Sequence, residues 1–160
     1  CDADALNLIA KRKNKQMLSE SIVFTPHLGE AARLLNVTRD LIVQQPMINL
    51  IKIIRKYNAT SVLKGAGSLI ASPTLKTPYL CTIGNPGMAQ AGSGDVLAGT
   101  IGALMAMGNS ADEATLLGVY VHAWSADRHA AKHGVYGMPA SEWLDELASS
   151  MNQIHSKTLL

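Results

Sequence analysis

The chain has 160 residues, the size of a single domain, and 48% of them are hydrophobic but only 4% aromatic, which predicts a mainly aliphatic core. A net charge of +2 and a basic run, Lys11-Arg12-Lys13-Asn14-Lys15, without interleaved aromatic residues favour a solvated helix end over a nucleic-acid site. Two cysteines exclude a disulfide framework, and no stretch of about 20 uninterrupted apolar residues indicates a membrane span. No signal peptide is visible, so we expect a reducing, cytoplasmic compartment.

The first part of the chain alternates between short apolar runs and amphipathic segments. In chain order we predict a helix capped by Asp4 and ending near Lys11, a strand at Ser21–Thr25, a helix from about Gly29 to Leu35, and a helix from Pro46 to Tyr57. Proline suits the first helical position because a residue there needs no N–H partner.

The second part begins with strands and ends with helices. The predicted strands are Thr60–Leu63, Ser68–Ala71 and a weaker Pro78–Thr82, followed by a helix to about Met107, a helix from the capping box Ser110–Glu113 to Gly134, and a last helix from about Ser141 to Ile154. Strands that alternate with helices predict a three-layer α/β/α sandwich with a mostly parallel sheet.

A glycine-rich run leads directly into the helix that ends near Met107. Its sequence is Gly84-Asn85-Pro86-Gly87-Met88-Ala89-Gln90-Ala91-Gly92-Ser93-Gly94-Asp95. The free amides of a helix's first turn and the helix dipole attract an anion, and glycines allow close approach of the backbone to a ligand. No Gly-Lys-Ser/Thr follows, so this is not a Walker loop. The run predicts a phosphate pocket.

Asp95 lies at the start of the same helix. A carboxylate there is stabilised by the helix dipole, so simple capping is one interpretation. The other is a general base that takes the proton from a hydroxyl aimed at the bound phosphate.

The run Ala91-Gly92-Ser93-Gly94-Asp95 resembles the anion-hole and catalytic-base motif of the ribokinase-like superfamily. With Gly84–Ala89 before it, the whole string resembles the ADP/ATP-dependent NAD(P)H-hydrate dehydratases. The resemblance implies that amides of Gly92, Ser93 and Gly94 stabilise developing charge and that Asp95 contacts the substrate hydroxyl. It also implies that Gly94 contacts the nucleotide. Asn85 is expected to order the loop beside the substrate.

Two further motifs follow predicted strand ends, where open α/β sheets bind ligands. Asp2-Ala3-Asp4-Ala5-Leu6-Asn7 is similar to a family sequence and implies that Asp2 orients substrate or metal, while a turn at Asp2 is the alternative. Thr25-Pro26-His27-Leu28-Gly29-Glu30 resembles Thr-Pro-His-Pro-Gly-Glu of the family. It implies that His27 faces the substrate and Glu30 helps to hold Mg²⁺, whereas a loop histidine and a helix-start charge are the alternatives.

A fourth motif, Leu63-Lys64-Gly65-Ala66-Gly67-Ser68, resembles the family's Lys-Gly-Ala-x-Thr, which is assigned to the adenine nucleotide. It implies nucleotide contacts by Lys64, Gly65, Ala66, Gly67 and Ser68. A β-hairpin turn with an exposed lysine is the alternative, and the two interpretations are compatible. Three histidines on one later helix, His122, His129 and His133, are expected to be surface or core residues rather than metal ligands.

The resemblance covers nearly the whole chain, and it implies that residues 1–160 form the C-terminal portion of a longer ribokinase-like domain. The implied activity is removal of water from hydrated NADH or NADPH, with Mg²⁺ and with ADP or ATP as co-substrate. A homo-oligomer and a fused or partner epimerase domain are further expectations. One alternative is a small-molecule kinase of the same superfamily, and another is a non-catalytic nucleotide-binding subunit.

Overall fold

The structure is a computed structural model that describes residues 1–12 and 21–158, so Lys13, Asn14 and Lys15 of the basic run lie outside the described residues. The helices in these ranges are α1 (Ala3–Lys11), α2 (Leu28–Leu35), α3 (Arg39–Gln44), α4 (Pro46–Tyr57), α5 (Ser93–Ala106), α6 (Ala111–His133) and α7 (Leu144–Thr158). The strands are β1 (Val23–Phe24), β2 (Thr60–Leu63), β3 (Ser68–Ala71) and β4 (Tyr79–Cys81). Short 3-10 turns lie at Pro86–Met88 and Ala140–Trp143.

The sheet has the order β1-β2-β3-β4. β1 runs parallel to β2, and an isolated parallel bridge between His27 and Lys64 continues that pairing. The pairs β2–β3 and β3–β4 are antiparallel hairpins. The α/β class is confirmed, and the described sheet is mixed because these hairpins follow the one parallel crossover.

Helices cover both faces of this sheet, as the alternation of side chains along β2 requires. Val62 packs in one core with β1, β3, α5 and α6, while Leu63 packs in the other with α1, α2 and α4. Both side chains are buried, at 0% and 3% exposure. The α/β/α arrangement is therefore confirmed, and the carboxyl ends of β1 and β2 open toward the predicted site motifs.

α5 and α6 pack closely against each other on one face of the sheet. A Cβ at Gly118 of α6 would lie 2.7 Å from Cγ1 of Ile101 of α5. A glycine is therefore required for this close approach of the two helices. No helix among the described residues is both long and apolar enough to cross a membrane.

Most predicted elements are confirmed, and the differences have local causes. α4, β2 and β3 have the predicted bounds. The short helix α3, capped by the Thr38 hydroxyl, was not predicted. The prediction that Asp4 caps the first helix is wrong, because Asp2 occupies the cap position and Asp4 lies in the first turn. The last α-helix begins at Leu144 rather than Ser141, since a 3-10 turn precedes it.

Candidate active site

The start of α5 leaves its first-turn amides available. Gly92 is the N-cap residue, with φ of 87° and no side-chain cap, and the amide of Val96 donates to its carbonyl at 3.0 Å. The Ser93 amide makes only a long bond of 3.4 Å to the Gln90 carbonyl. First-turn amides have no carbonyl partner within their own helix, so those of Gly94 and Asp95 can donate to a bound anion.

Asp95 projects from this first turn, and the residue is exposed. The carboxylate is close in sequence to the free amides and open to a ligand. The position is compatible with both interpretations made from the sequence, a dipole-stabilised charge and a general base.

Asp2 and Lys64 meet directly beside the start of α5. Lys64 Nζ donates to Asp2 Oδ1 at 2.7 Å, and the two side chains are 14% (Asp2) and 21% (Lys64) exposed. A Cβ at Gly94 would lie 3.1 Å from Lys64 Nζ and 3.3 Å from Asp2 Oδ2. Glycine at this position therefore lets the ion pair approach the helix. Lys64 is consequently not the exposed hairpin lysine of the alternative interpretation.

His27 and Glu30 form a capping box at the start of α2. His27 Nδ1 accepts from the amides of Gly29 at 2.9 Å and Glu30 at 3.3 Å, and the His27 amide donates to Glu30 Oε2 at 2.8 Å. Glu30 Oε1 lies 3.3 Å from His27 Nε2, and the Glu30 side chain is only 5% exposed. Both carboxylate oxygens thus face His27 and the side chain has little exposed surface, which favours the capping role over direct coordination of Mg²⁺. No group of three or more His, Cys, Asp or Glu that could hold a metal occurs in residues 1–12 and 21–158.

The turn between β2 and β3 borders an apolar cavity of about 370 Å³. Gly67 has φ of +86°, and a Cβ there would lie 3.2 Å from Leu80. Ser68 is partly exposed at the start of β3. The cavity thus combines a lysine and three small turn residues with aliphatic walls; its lining residues are Leu28, Val43, Pro46, Leu63, Lys64, Gly65, Ala66, Gly67, Leu69 and Leu80.

The first part of the glycine-rich loop is tied to α6 by a carboxylate that the sequence analysis missed. Asp127 accepts from the Gly84 amide at 2.8 Å and from Asn85 Nδ2 at 2.9 Å. Asn85 Oδ1 in turn accepts from the Gly87 amide at 3.0 Å. Asn85 therefore holds the loop. No local signal marks Asp127, since its partners lie 42 and 43 positions earlier.

His122 lies beneath the end of the same loop, and it too was set aside in the sequence analysis. It is 5% exposed, and its ring makes an edge contact with Trp143 at 5.8 Å. The pKa of His122 is lowered to about 4, chiefly by burial. Its hydrogen bond to the Ser93 backbone acts in the opposite direction, and the charge of Lys64 acts in the same direction as burial. The imidazole is therefore neutral near neutral pH, and it is a core residue as expected.

The other two histidines of α6 lie near its C-terminal end. The His129 and His133 rings are 4.5 Å apart, and His129 Nε2 is 3.7 Å from Glu142. His129 is buried, whereas His133 is exposed. The expectation of core and surface histidines is met.

Comparison with known proteins extends this picture. The family model described as NAD(P)H-hydrate dehydratase matches residues 1–149. The bifunctional NAD(P)H-hydrate repair enzyme of Coxiella burnetii is 38% identical over 151 residues, which are 94% of this chain and 30% of that protein. The ADP-dependent (S)-NAD(P)H-hydrate dehydratase of Neisseria meningitidis is 39% identical over 153 residues, covering 89% of this chain and 51% of that protein.

A solved structure shares the fold. The ADP/ATP-dependent NAD(P)H-hydrate dehydratase of Bacillus subtilis, co-crystallised with ATP/Mg²⁺, superposes with a TM-score of 0.82 at 26% identity, covering 95% of this chain and 53% of that one. The chain thus spans between about a third and a half of the length of these relatives. The profile match, the sequence identities and the glycine-rich helix start agree, and the chain belongs to the NAD(P)H-hydrate dehydratase family.

Proposed function

We propose that this chain supplies the catalytic helix start and the nucleotide turn of an enzyme that dehydrates hydrated NADH or NADPH. The observation that carries the proposal is the uncapped start of α5, with the exposed Asp95 carboxylate in the same turn. An anion-binding helix end beside a base is what phosphoryl transfer to a hydroxyl requires. Two relatives in the family are named for repair or dehydration of NAD(P)H-hydrate.

The proposed reaction has two steps. Asp95 takes the proton from the hydroxyl of the hydrated ring, and that oxygen attacks the terminal phosphoryl group of ADP or ATP, which leaves AMP or ADP. The C–O bond of the resulting phosphate ester then breaks as a proton leaves the neighbouring ring carbon, so that the ring double bond returns and inorganic phosphate is released. Amides of Gly92, Ser93 and Gly94 are proposed to stabilise the developing charge, by about 3 kcal/mol per well-placed donor. The Ser93 amide would have to give up its long bond to the Gln90 carbonyl for this role, whereas the first-turn amide of Gly94 needs no such change.

The nucleotide is proposed to lie along the turn Lys64–Ser68. The turn begins with the Lys64 ammonium, which is paired with Asp2, and three small residues there allow close approach of phosphate to the backbone. The adjoining cavity has aliphatic walls that suit a planar base. The Lys64 ammonium, already beside Gly94, joins the turn to the anion-binding amides.

The nucleotide phosphates would hold magnesium, which would neutralise part of their charge. Glu30 is assigned the helix cap rather than a direct bond to the metal, since both its oxygens face His27. We further propose that residues 1–160 form the C-terminal portion of a longer domain, and that the protein is a homo-oligomer in the cytoplasm with a fused or partner epimerase domain.

The near-ultraviolet absorbance of reduced nicotinamide tests the proposal. The purified protein is mixed with hydrated NADH or NADPH, magnesium, and either ADP or ATP. Recovery of absorbance together with free phosphate is expected, and it also identifies the nucleotide. Phosphate that stays attached to an acceptor alcohol would replace the dehydratase with a kinase. Tight nucleotide binding without turnover of any substrate would favour a non-catalytic subunit.

A further inference from the structure

The glycine-rich loop is anchored at one side chain of α6. Asp127 uses one carboxylate oxygen for the Gly84 amide and the other for Asn85 Nδ2, at 2.8 and 2.9 Å. Asn85 passes the restraint on, because its Oδ1 accepts from the Gly87 amide at 3.0 Å. These three bonds form one chain from α6 to the 3-10 turn at Pro86–Met88, a few residues before the start of α5.

Packing fixes the same loop on its other sides. Gly84 has φ of +109°, and a Cβ there would lie 3.0 Å from the Met88 sulfur and 3.6 Å from the Ala123 Cβ. A Cβ at Gly87 would lie 2.6 Å from the carbonyl oxygen of Val135. The backbone of the loop is therefore pressed against α6 and the segment after it, in a conformation that the polar bonds must match.

We propose that Asp127 is a positioning residue that holds the Gly84–Gly92 loop, through Asn85, so that the anion-binding amides of α5 are in place before the ligand arrives. The role rests on the proposed function, because the amides matter only where a phosphoryl group is bound there. Asp127 itself touches no reacting atom. Preorganised donors need no rearrangement during the reaction, which is why their positioning affects turnover more than nucleotide binding.

The role can be tested by exchanging the carboxylate of Asp127 with the amide of Asn85, which reverses donor and acceptor in the bond between them. In Asp127→Asn, the new amide can accept from Gly84, but its own NH₂ then faces the NH₂ of Asn85, so one of the three bonds is lost. In Asn85→Asp, two carboxylates face each other. In the double exchange, D127N with N85D, the amide at position 127 accepts from Gly84 and donates to the carboxylate at position 85, which still accepts from Gly87. All three bonds return with one donor reversed.

The experiment compares the two single variants and the exchange with the unchanged protein. Each single variant is expected to lose about 10- to 100-fold in kcat. Its nucleotide dissociation constant, measured by titration without substrate, should stay within about three-fold, because the turn Lys64–Ser68, which the anchor does not touch, supplies a large part of the proposed nucleotide contact and preorganised donors act mainly on the transition state. The exchange should restore kcat. Asp145→Asn, which removes an exposed carboxylate in the first turn of α7, is the matched charge control and should change neither quantity.

Amide hydrogen exchange gives a readout that does not depend on activity. The Gly84 and Gly87 amides are expected to be protected in the unchanged protein and in the double exchange. Each single variant should exchange both amides faster, because loss of the bond between positions 127 and 85 lets the loop open more often although each amide keeps its acceptor. This result stands even if the protein has no dehydratase activity, so failure of the anchor and failure of the proposed function are distinguishable.

Two outcomes would overturn the proposal. One is a single variant that keeps both amide protection and kcat. The other is a double exchange that is folded and protected but stays inactive, because the carboxylate at position 127 would then act by its charge rather than through the loop. If the single variants do not fold, the double exchange decides alone: parent-like kcat supports the anchor, and a folded, inactive protein refutes it.

Discussion

The helix starts of α5 and α2 both carry motifs that resemble ligand sites. They differ in whether the backbone amides of the first turn are already bonded to a side chain of the protein. At α2, the His27 ring accepts from the amides of Gly29 and Glu30, and the Glu30 carboxylate accepts from the His27 amide. At α5, the N-cap is Gly92, which has no side chain to cap the turn, and Asp95 is exposed.

The difference shows what turns a helix start into a site. Both helices have the same kind of dipole and the same unpaired amides by construction. The side chain at the N-cap decides whether those amides are used within the protein or remain for a ligand. A carboxylate in the first turn is therefore informative only together with the residue that precedes the helix.

The largest expected effect is on kcat, when the carboxylate of α5 rather than that of α2 is replaced. Asp95→Asn removes the proposed base while keeping the shape of the side chain, so kcat should fall by about 10²- to 10⁴-fold with nucleotide binding retained. Steady-state kinetics and nucleotide titration check this. Near-native turnover would remove Asp95 from the mechanism.

Glu30→Gln is the matched control on the other helix. Glutamine can still accept from the His27 amide, so the capping box persists. We expect kcat and the dependence of the rate on magnesium concentration to stay within about two-fold of the parent values. A large rise in the magnesium requirement would instead restore Glu30 as a metal ligand.

The next effect is the pH dependence of the free energy of unfolding that His122 causes. The ordinary pKa of a histidine is 6.5, and that of His122 is lowered to about 4 in the folded protein, chiefly by burial. The unfolded chain therefore binds a proton before the folded one as the pH falls. Stability is full above pH 6.5 and is lost toward pH 4, by an amount on the order of 3 kcal/mol.

His122→Asn isolates this contribution. Asparagine keeps a polar group near the Ser93 backbone but does not titrate. Denaturant unfolding across this pH range should give a flatter dependence of the free energy of unfolding on pH than in the parent, even if the variant is less stable throughout. An unchanged slope would assign the acid sensitivity to other groups.

The smallest effect is at the cap of α2. His27→Ala removes the acceptor for two amides, which should lower the free energy of unfolding by about 1 kcal/mol in denaturant titrations. If His27 acts only as a cap, the KM for the hydrated cofactor stays unchanged. A KM that rises while stability does not change would support the substrate contact implied by the sequence.

The elements with strong local signals could be predicted from the sequence. Pro46 marks the start of α4, and the apolar runs of β2 and β3 give their bounds. The helix α3 could not be predicted in this way. It has only six residues, and its Leu41-Ile42-Val43 run carries no helical period.

The residues of the candidate site also differ in whether a local sequence pattern reveals them. Gly92, Gly94 and Asp95 are recognisable because their spacing into one helix is a local pattern. Asp127 and His122 are not, because each acts on a loop that lies far away in the sequence. The Lys64–Asp2 pair joins residues 62 positions apart, and only the sheet brings them together.

Gly118 lies outside the candidate site, at the contact between α6 and α5. It leaves α6 close enough to α5 that a methyl group would meet Ile101. Close-packed interiors do not absorb an added methyl without displacement of their neighbours. A larger residue at position 118 would therefore displace Ile101 or the helix α5 itself, the element that carries Asp95 at its start.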